Sequence, residues 1–392
     1  MKGFLVLIFL ILIFRIQISF LNFLNFIDKP IREVNVKVIN QYKKKNYYVL
    51  KLKNNEITFY TISRDNLKNL LNENISLKIF TQKISFLGYL TKFYAISFDL
   101  KLQEANFLEN FIESQHKEKK FQNLFKALFL AQAIDYETRK ELSALGISHL
   151  FALSGFHLGI ISGSLFFILG FFYKKFQKLF PYRNRYFDLG VVILGIEFLY
   201  LYITSFPPSL IRAYIMEWVL FLYAIYLRNV FDLKILIVTI LVSFLVFFSD
   251  IFYLGFLLSV LGIFYIMLFF KYYEFNFLNS LFLSVFLFLM MFVYSHTFFG
   301  EFNYYQFLSP FVSLGFGVFY PLEVLLHLLG AGGAFDGLIS EFLKLGDNFF
   351  IYKLPLFVGV LFFLLSLVAY YKKWAFYGIN LLAILILGGV FL

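Results

Sequence analysis

Hydrophobic positions form long uninterrupted runs over most of the chain, and one polar interval separates the first run from the others. The first run, residues 4–26, is too long for a signal-peptide core and lacks a small-residue cleavage site, so we expect a retained transmembrane helix over residues 1–27. The later runs approach the roughly 20 apolar residues that cross a bilayer. They predict spans at residues 151–173, 187–206, 209–227, 233–249, 251–270, 277–295, 354–371 and 374–392.

Residues 305–330 are apolar but interrupted by Pro310, Gly315, Gly317 and Pro321. Such interruptions are typical of half-helices that enter and leave a membrane from the same side. The loop after Tyr173 is the most basic short loop and is therefore expected in the cytoplasm, and a re-entrant segment also places the lysines at 372–373 there. The pattern predicts a polytopic α-helical membrane protein with about nine spans plus a re-entrant pair of half-helices. The polar interval and the C-terminus then lie outside.

The polar interval begins with alternating apolar and polar residues, which predict half-buried strands. We expect strands at residues 31–39, 46–53, 57–62, 75–81 and 91–100, with a helix at 64–71. This order fits a small all-β, OB-like external domain over residues 28–103, and an unrelated small β-sandwich is the alternative.

Residues 104–148 change to a helical period, which predicts amphipathic helices on the membrane surface. A helix packed on the barrel explains the same pattern. Residues 149–392 then form the multi-helix transmembrane domain.

Composition narrows the class of protein. Hydrophobic residues make up 60% of the chain and charged residues 15%, against about 25% charged residues in a soluble domain, which excludes a soluble enzyme. The chain has no cysteine, so disulfides and thiolate metal sites are excluded. The sequence contains neither a glycine-rich phosphate loop nor a cluster typical of a hydrolytic metal centre. We therefore expect no cofactor and no metal.

The formal charge of +11 comes mostly from residues 28–103. Five lysines, named here the barrel lysines, lie on either side of Tyr47: Lys43, Lys44, Lys45, Lys51 and Lys53. Basic residues with interleaved aromatics suit the phosphates and bases of single-stranded DNA. A solvated face, or a surface that binds anionic lipid, would have the same composition.

The first apolar run after the polar interval carries an unusual set of small and polar residues. On a helix, Ser154 and His157 share one stripe, and Gly155, Gly159 and Gly163 form another. The glycine stripe predicts close packing of a neighbouring helix, which leaves the polar stripe to face a cavity. Taken singly, Ser154 and His157 are better explained by structural hydrogen bonds, whereas the combination of polar and glycine stripes favours a functional role. A nucleophilic serine with a histidine base, as in an intramembrane hydrolase, is a further alternative.

Arg212 lies one turn inside a predicted span, after Pro207 and Pro208, which suit a helix start. A buried guanidinium in this position suits a pore that attracts phosphates. The long side chain would also reach the outer interface of the membrane, which leaves a purely structural role open.

These segments resemble the signatures of the ComEC competence proteins, inner-membrane channels for DNA uptake in natural transformation. The first resemblance is carried by residues 146–159, GISHLFALSGFHLG, and the second by residues 207–213, PPSLIRA. The third is carried by residues 255–259, GFLLS, although the family commonly has glutamine where Leu257 stands.

The resemblance implies a channel, not an enzyme, that carries single-stranded DNA across the bacterial inner membrane to the cytoplasm. It places Ser154, His157, Arg212 and Ser259 along the DNA path. The partners it implies are the lipid bilayer, a periplasmic DNA receptor, a cytosolic DNA motor or trapping protein, and a separate nuclease. We expect no nuclease in this chain, because no metallo-β-lactamase-like segment follows the membrane domain. Homo-oligomerisation stays open, as do the intramembrane serine hydrolase and a transporter of a smaller anion.

Overall fold

The computed structural model of the chain describes residues 2–45, 47–54, 57–63, 70–102, 106–226, 233–246 and 254–391. By its internal contacts the chain divides into two compact units, Met1–Asp135 with Ser243–Asp250, and Tyr136–Val242 with Ile251–Leu392. The segment predicted separately at residues 104–148 is therefore shared between the two units.

The first unit begins with a continuous helix, α1 (Lys2–Ile27), where the first apolar run predicts one. Its last turns contact the aromatic side chains of the β-sheet region. Phe23 and Phe26 are buried, with ring centroids 5.6 and 5.2 Å from that of Tyr89. Tyr89 belongs to a short helix, α2 (Phe86–Leu90).

The sheet contains each predicted strand, with the last one split into two short strands. The strands are β1 (Ile31–Lys43), β2 (Tyr48–Lys53), β3 (Thr58–Ser63), β4 (Asn74–Phe80), β5 (Phe93–Tyr94) and β6 (Ser97–Leu102). Their order in the sheet is β5-β3-β2-β1-β4-β6. The helix predicted at 64–71 falls mainly on residues 64–69, which lie outside the described part of the chain.

The last segment of the sheet connects its two edges. β5 pairs in parallel with β3, while β6 pairs in antiparallel fashion with β4. Between them, the Ala95 N–H donates to the Tyr60 carbonyl at 3.0 Å, and the hydroxyls of Thr61 and Ser97 lie 2.7 Å apart. The sheet therefore closes on itself around a core in which the inward side chains of the alternating pattern are fully buried: Val38, Leu50, Leu52, Phe59, Ile75, Leu77 and Ile79.

Two helices complete this unit, α3 (Phe107–Glu113) and α4 (Lys119–Leu130). Glu109 of α3 accepts hydrogen bonds from Lys37 of β1 at 2.9 Å and from Gln132 at 2.6 Å. Burial lowers the pKa of Lys37, and the adjacent Glu109 carboxylate opposes that shift.

The membrane-surface location of these helices stays a prediction, but α4 is more enclosed by protein than such a helix would be. This helix buries seven of its twelve residues, including six consecutive positions from Asn123 to Leu128. A helix lying on a bilayer surface keeps one face in water, whereas α4 is enclosed on several sides. The link from Lys37 to Glu109 agrees instead with the alternative of helices packed on the sheet.

The described residues of the second unit form mainly helices, together with two short strands. Its helices are α5 (Tyr136–Ala144), α6 (Ser148–Phe151), α7 (Gly155–Leu179), α8 (Arg185–Ile203), α9 (Pro208–Tyr226), α10 (Leu233–Val246), α11 (Leu254–Tyr272), α12 (Phe277–Phe298), α13 (Ser309–Leu328), α14 (Asp336–Lys344), α15 (Leu356–Tyr371) and α16 (Lys373–Gly388). α10 extends into residues grouped with the first unit.

Among the described residues, six helical segments are long and apolar enough to cross a membrane. They are α7, α8, α9, α11, α12 and Tyr304–Leu328, which contains α13. The apolar helices α10, α15 and α16 are shorter. The chain is thus a multi-pass membrane protein, with fewer full-length spans among the described residues than the sequence predicts.

The predicted pair of half-helices is wrong, because residues 309–328 form the single helix α13. Pro310 occupies the first turn, where its missing N–H has no partner to lose. Gly315, Gly317 and Pro321 remain inside the helix, since membrane helices tolerate such residues where neighbouring groups satisfy the backbone.

The segment nevertheless returns to the end of the bundle where it starts. Strand β7 (Glu301–Phe302) pairs with β8 (Phe350–Ile351), and the Asn303 side chain donates to the Leu345 carbonyl at 2.8 Å. On the way back, Phe335 contacts Phe319 of α13 at 5.9 Å between ring centroids. The return is made by the chain from Gly332 through α14, not by the second half of the predicted pair.

Candidate functional site

Ser154 and His157 together shape the start of α7. The Ser154 N–H donates to His157 Nδ1 at 3.3 Å, and Ser154 Oγ lies 3.2 Å from the same nitrogen. His157 Nε2 lies 2.9 Å from the Leu150 carbonyl, which can only accept, so Nε2 carries the proton and Nδ1 is the acceptor. Both ring nitrogens of this fully buried histidine are therefore occupied, which is a structural capping arrangement.

The same histidine joins α7 to α13. Its ring lies edge-on to Phe316 and Tyr320, with centroid distances of 5.4 and 5.1 Å. The helix that carries the predicted channel residues is thus packed against the helix that begins the returning segment.

The residues just before α7 also contact α13 or the turn that precedes it. Gly146 has a φ of +69°, a conformation that a residue with a Cβ adopts at a cost. Its carbonyl accepts from Ser309 Oγ at 2.9 Å, and a Cβ there would lie 2.7 Å from the Gln306 side chain. His149 Nε2 lies 3.2 Å from Ser313 Oγ. Gly146 and His149 belong to the first resembling segment, and no sequence pattern predicts their partners.

The glycine stripe lies against a neighbouring helix at one position only. A Cβ on Gly155 would lie 3.2 Å from Ala213 Cβ on α9, whereas a Cβ on Gly159 or Gly163 would meet no described atom within 4 Å. The prediction of close helix packing therefore does not hold at Gly159 and Gly163. Residues four apart on a helix are displaced by about 40° around its axis, so the stripe turns away from α9 after its first member.

Arg212 connects α9 to α11. Its Nη2 donates to the Gly255 carbonyl at 3.3 Å, and the guanidinium carbon lies 5.5 Å from the centroid of the Phe256 ring. Ser259, the fourth predicted path residue, is half-buried about one turn further along α11. Arg212 thus contacts the third resembling segment, a relation that sequence spacing did not reveal.

These contacts bring together the starts of three helices, α7, α9 and α11. Gly155 lies against Ala213, and Arg212 lies against Gly255. The N-terminus of each helix carries partial positive charge, to which Arg212 adds a full one. The arrangement is suited to attract an anion.

The carboxyl groups of Glu197 and Glu217 form a site that the sequence did not predict. Ser162 Oγ of α7 hydrogen-bonds with Glu197 of α8 and with Glu217 of α9. Each glutamate is visible in the sequence as an acidic residue within an apolar run, which is unusual. Their convergence was not predictable, because the three residues lie on three different helices.

The barrel lysines and Tyr47 lie on or beside β1 and β2. Residues 43–45 and Tyr47 are exposed, while Lys51 and Lys53 are half-buried on the outward face, because the alternating residues Leu50 and Leu52 point inward. The register places Lys51 opposite Tyr60 of β3, and Tyr60 opposite Tyr94 of β5.

This outward row, Lys51–Tyr60–Tyr94, interleaves aromatic and basic side chains across three strands. Tyr94 is 53% exposed and Tyr60 is half-buried. Neither tyrosine was singled out from the sequence, although the alternation in the third strand already placed Tyr60 on the outward face.

Within the described part of the chain, no group of three or more histidine, aspartate or glutamate side chains could hold a metal ion.

A family model described as Competence protein matches residues 130–392, which is more than half of the chain. The chain belongs to the competence protein family. This assignment confirms the resemblance to the ComEC proteins, and it indicates a role in DNA uptake during competence. No curated protein matches the chain, and no solved structure matches it. All three resembling segments, including Arg212 and Gly255, lie within the matched residues.

Proposed function

We propose that the chain is an inner-membrane channel that passes single-stranded DNA into the cytoplasm during natural transformation. The observation that carries this proposal is the convergence of the starts of α7, α9 and α11 around Arg212. Each of these helix starts carries one of the three segments that resemble the family signatures. The polyanionic strand would approach the bundle at this electropositive end.

The effect of Arg212 on a DNA strand depends on where its charge lies. A DNA strand presents one phosphate per nucleotide, and a positive centre of low mobility attracts phosphates more strongly at the edge of a membrane than in bulk water. The hydrogen bond to Gly255 and the contact with Phe256 hold Arg212 at this centre. Ser154 and His157 shape the same end of the bundle by fixing the start of α7.

The sheet domain would receive the strand on the outer side. Its closure, with β1 between β2 and β4 and with β5 parallel to β3, supports an OB-like barrel. The row of Lys51, Tyr60 and Tyr94 offers charge for phosphates and ring faces for bases, which is how proteins bind single strands with little sequence preference. In this proposal the barrel lies in the periplasm.

The partners in this proposal follow from the path. A periplasmic receptor delivers the DNA, a separate nuclease prepares the single strand, and a cytosolic motor or trapping protein draws the strand inward. These partners are proposed from the resemblance.

A membrane serine hydrolase is the second candidate, because Ser154 Oγ lies 3.2 Å from His157 Nδ1. A hydrolytic serine needs a histidine that is oriented by a further group able to stabilise its positive form. Here the other nitrogen of His157 faces the backbone carbonyl of Leu150, which is a weaker partner than a carboxylate. The geometry therefore favours the capping role of His157.

Transformation frequency at equal membrane protein level separates the two candidates. For a channel, Ser154→Ala retains much of the uptake, Arg212→Lys retains part of it, and Arg212→Glu blocks it by repelling phosphates. Lys178→Glu makes the same charge change at the other end of α7 and serves as the matched control, with uptake close to that of the unaltered protein. A null Ser154→Ala variant beside an active Arg212→Glu variant would overturn the channel in favour of chemistry at Ser154.

A further inference from the structure

Three polar side chains from three adjacent helices meet inside the membrane bundle. Ser162 Oγ of α7 hydrogen-bonds with Oε1 of Glu197 on α8 and with Oε1 of Glu217 on α9. Counted along α7, Ser162 lies about 10 Å from the helix start. This depth places the group within the hydrocarbon thickness of about 30 Å rather than at its edge.

The number of hydrogens in this group favours a proton beyond that of the serine. A serine hydroxyl donates one hydrogen bond, yet its oxygen lies within hydrogen-bonding distance of two carboxyl oxygens. Ser162 can make one full hydrogen bond to one glutamate and share its hydrogen weakly with the other, or it can accept a second full hydrogen bond if the other glutamate is protonated. Two ionised carboxylates at this spacing would also repel each other strongly in an environment of low dielectric constant.

Among the described residues, no positively charged side chain is paired with Glu197. Glu197 is fully buried, and its Oε2 has no hydrogen-bond partner among the described residues. In the described part of the chain, no lysine, arginine or histidine forms an ion pair with either glutamate. A buried carboxylate in that position needs either a proton or a cation.

The other titratable groups near the pair are already engaged. On α9, Tyr214 donates to the Leu194 carbonyl at 3.0 Å. Tyr200, one turn after Glu197, lies 3.5 Å from Tyr320 of α13 between hydroxyl oxygens. On α7, His157 is bonded to Ser154 and to the Leu150 carbonyl.

Arg212 precedes Glu217 by five residues, more than one turn, and donates to Gly255. Among the described helices, the ionisable group that lies next to Glu197 is therefore the carboxyl group of Glu217.

We propose that Glu197 and Glu217 form a proton-binding site, in which one proton is shared and passed between the carboxyl groups through the hydroxyl of Ser162. In the transfer, the O–H bond of the protonated carboxyl breaks as the hydroxyl oxygen takes its proton. The hydroxyl releases its own proton to the opposite carboxylate, so that charge moves and no electrons are exchanged. The half-buried Glu217 exchanges the proton with water. This site goes beyond DNA passage and stands whether or not the bundle conducts DNA.

Infrared spectroscopy of the full chain in lipid nanodiscs tests the site directly. A protonated carboxyl has a carbonyl stretch that is distinct from the bands of a carboxylate, and the stretch shifts when its hydrogen bonding changes. At neutral pH the unaltered protein is expected to show this band. The Glu197→Gln/Glu217→Gln double variant loses the component that belongs to the pair, while Glu341→Gln, which removes an exposed carboxylate on α14, leaves the band unchanged.

Ser162→Ala tests the bridging hydroxyl with a milder change. The band is expected to persist but to shift in frequency, because the protonated carboxyl loses its acceptor. Ser164→Ala on the same helix is the matched control and leaves the frequency unchanged. All variants are compared at equal yield and equal elution volume, so a folding defect is detected separately.

Two results would overturn the proposal. One is a carboxyl band that is identical in the unaltered protein, the double variant and Ser162→Ala. The other is loss of the band on addition of sodium ions at constant pH, which would assign the group to a metal cation instead of a proton.

Discussion

The contact between Gly155 and Ala213 allows a position-specific prediction about the packing of α7 on α9. A Cβ built on Gly155 would lie 3.2 Å from the Cβ of Ala213, closer than an ordinary carbon–carbon contact. The Ala213 methyl is fixed to its backbone and cannot rotate away, so a larger residue at 155 must displace one helix from the other. At Gly159 and Gly163 the same test finds open space among the described residues.

The expected cost follows from overpacking. Extra carbon atoms forced into a close contact destabilise by about 1–3 kcal/mol, and we expect Gly155→Leu near the upper end of that range. Gly155→Ala adds a single methyl to the same contact, so its effect is smaller. Gly159→Leu or Gly163→Leu is expected to change the free energy of unfolding by no more than about 0.5 kcal/mol, because the new side chain contacts no neighbouring residue among those described.

The assay is unfolding of the purified chain in mixed detergent micelles, combined with transformation frequency. Ala213→Gly removes the methyl group that the new side chain of Gly155→Ala would contact. We therefore expect the double variant to be about 1 kcal/mol more stable than the sum of the two single changes predicts. Equal destabilisation by leucine at all three glycine positions, or no coupling with Ala213→Gly, would refute the contact as the cause. It would instead support a uniform role for the glycine stripe.

Three further predictions concern the barrel and the topology. Replacing the barrel lysines with glutamine weakens single-strand binding by the full chain in nanodiscs and lowers the salt slope by about 0.7 per lost phosphate contact; an unchanged slope would assign the lysines to a solvated or lipid-facing surface. Tyr60→Ala and Tyr94→Ala each weaken the same binding by about 1–3 kcal/mol if bases stack on them, and unaltered affinity would exclude stacking there. Because the chain has no native cysteine, single cysteines can be labelled without background. We expect labelling from outside at Lys44, Glu301 and Asp347, and none at Lys178 and Lys372. Labelling at Lys372 with protection at Asp347 would contradict the returning segment.

The parts of the fold predictable from sequence are those set by local periodicity. Alternation over residues 31–39 and 75–81 located β1 and β4, because a strand with one buried face repeats every two residues. The apolar runs located α7, α8, α9, α11 and α12 for the same kind of local reason. The split of the last strand into β5 and β6 was not visible, since it depends on pairing with β3 on one side and β4 on the other.

The missed features depend on which helices become neighbours. Interruptions in residues 305–330 indicated a re-entrant pair, yet prolines and glycines do not specify a break when other helices satisfy the backbone. The return to the same end of the bundle is fixed by Asn303 and by the β7–β8 pair, whose partners lie far apart in sequence. The meeting of Ser162, Glu197 and Glu217 is likewise a product of tertiary packing.

The role of Arg212 was predictable only in part. Its unusual place inside a span was apparent from sequence, and so was the choice between a pore and an interfacial location. Its link to Gly255 became apparent only when α9 and α11 were placed side by side.

The measurement that tests the channel most directly follows labelled DNA into two compartments of a naturally transformable host. Cells lacking the chain, or carrying Arg212→Glu at normal protein level, are supplied with duplex DNA labelled separately on each strand. The account predicts that DNA reaches the periplasm in these cells but that no labelled single strand reaches the cytoplasm, whereas the unaltered chain restores cytoplasmic delivery. Cytoplasmic single strands in cells without the chain, or loss of periplasmic DNA as well, would contradict a channel at the inner membrane.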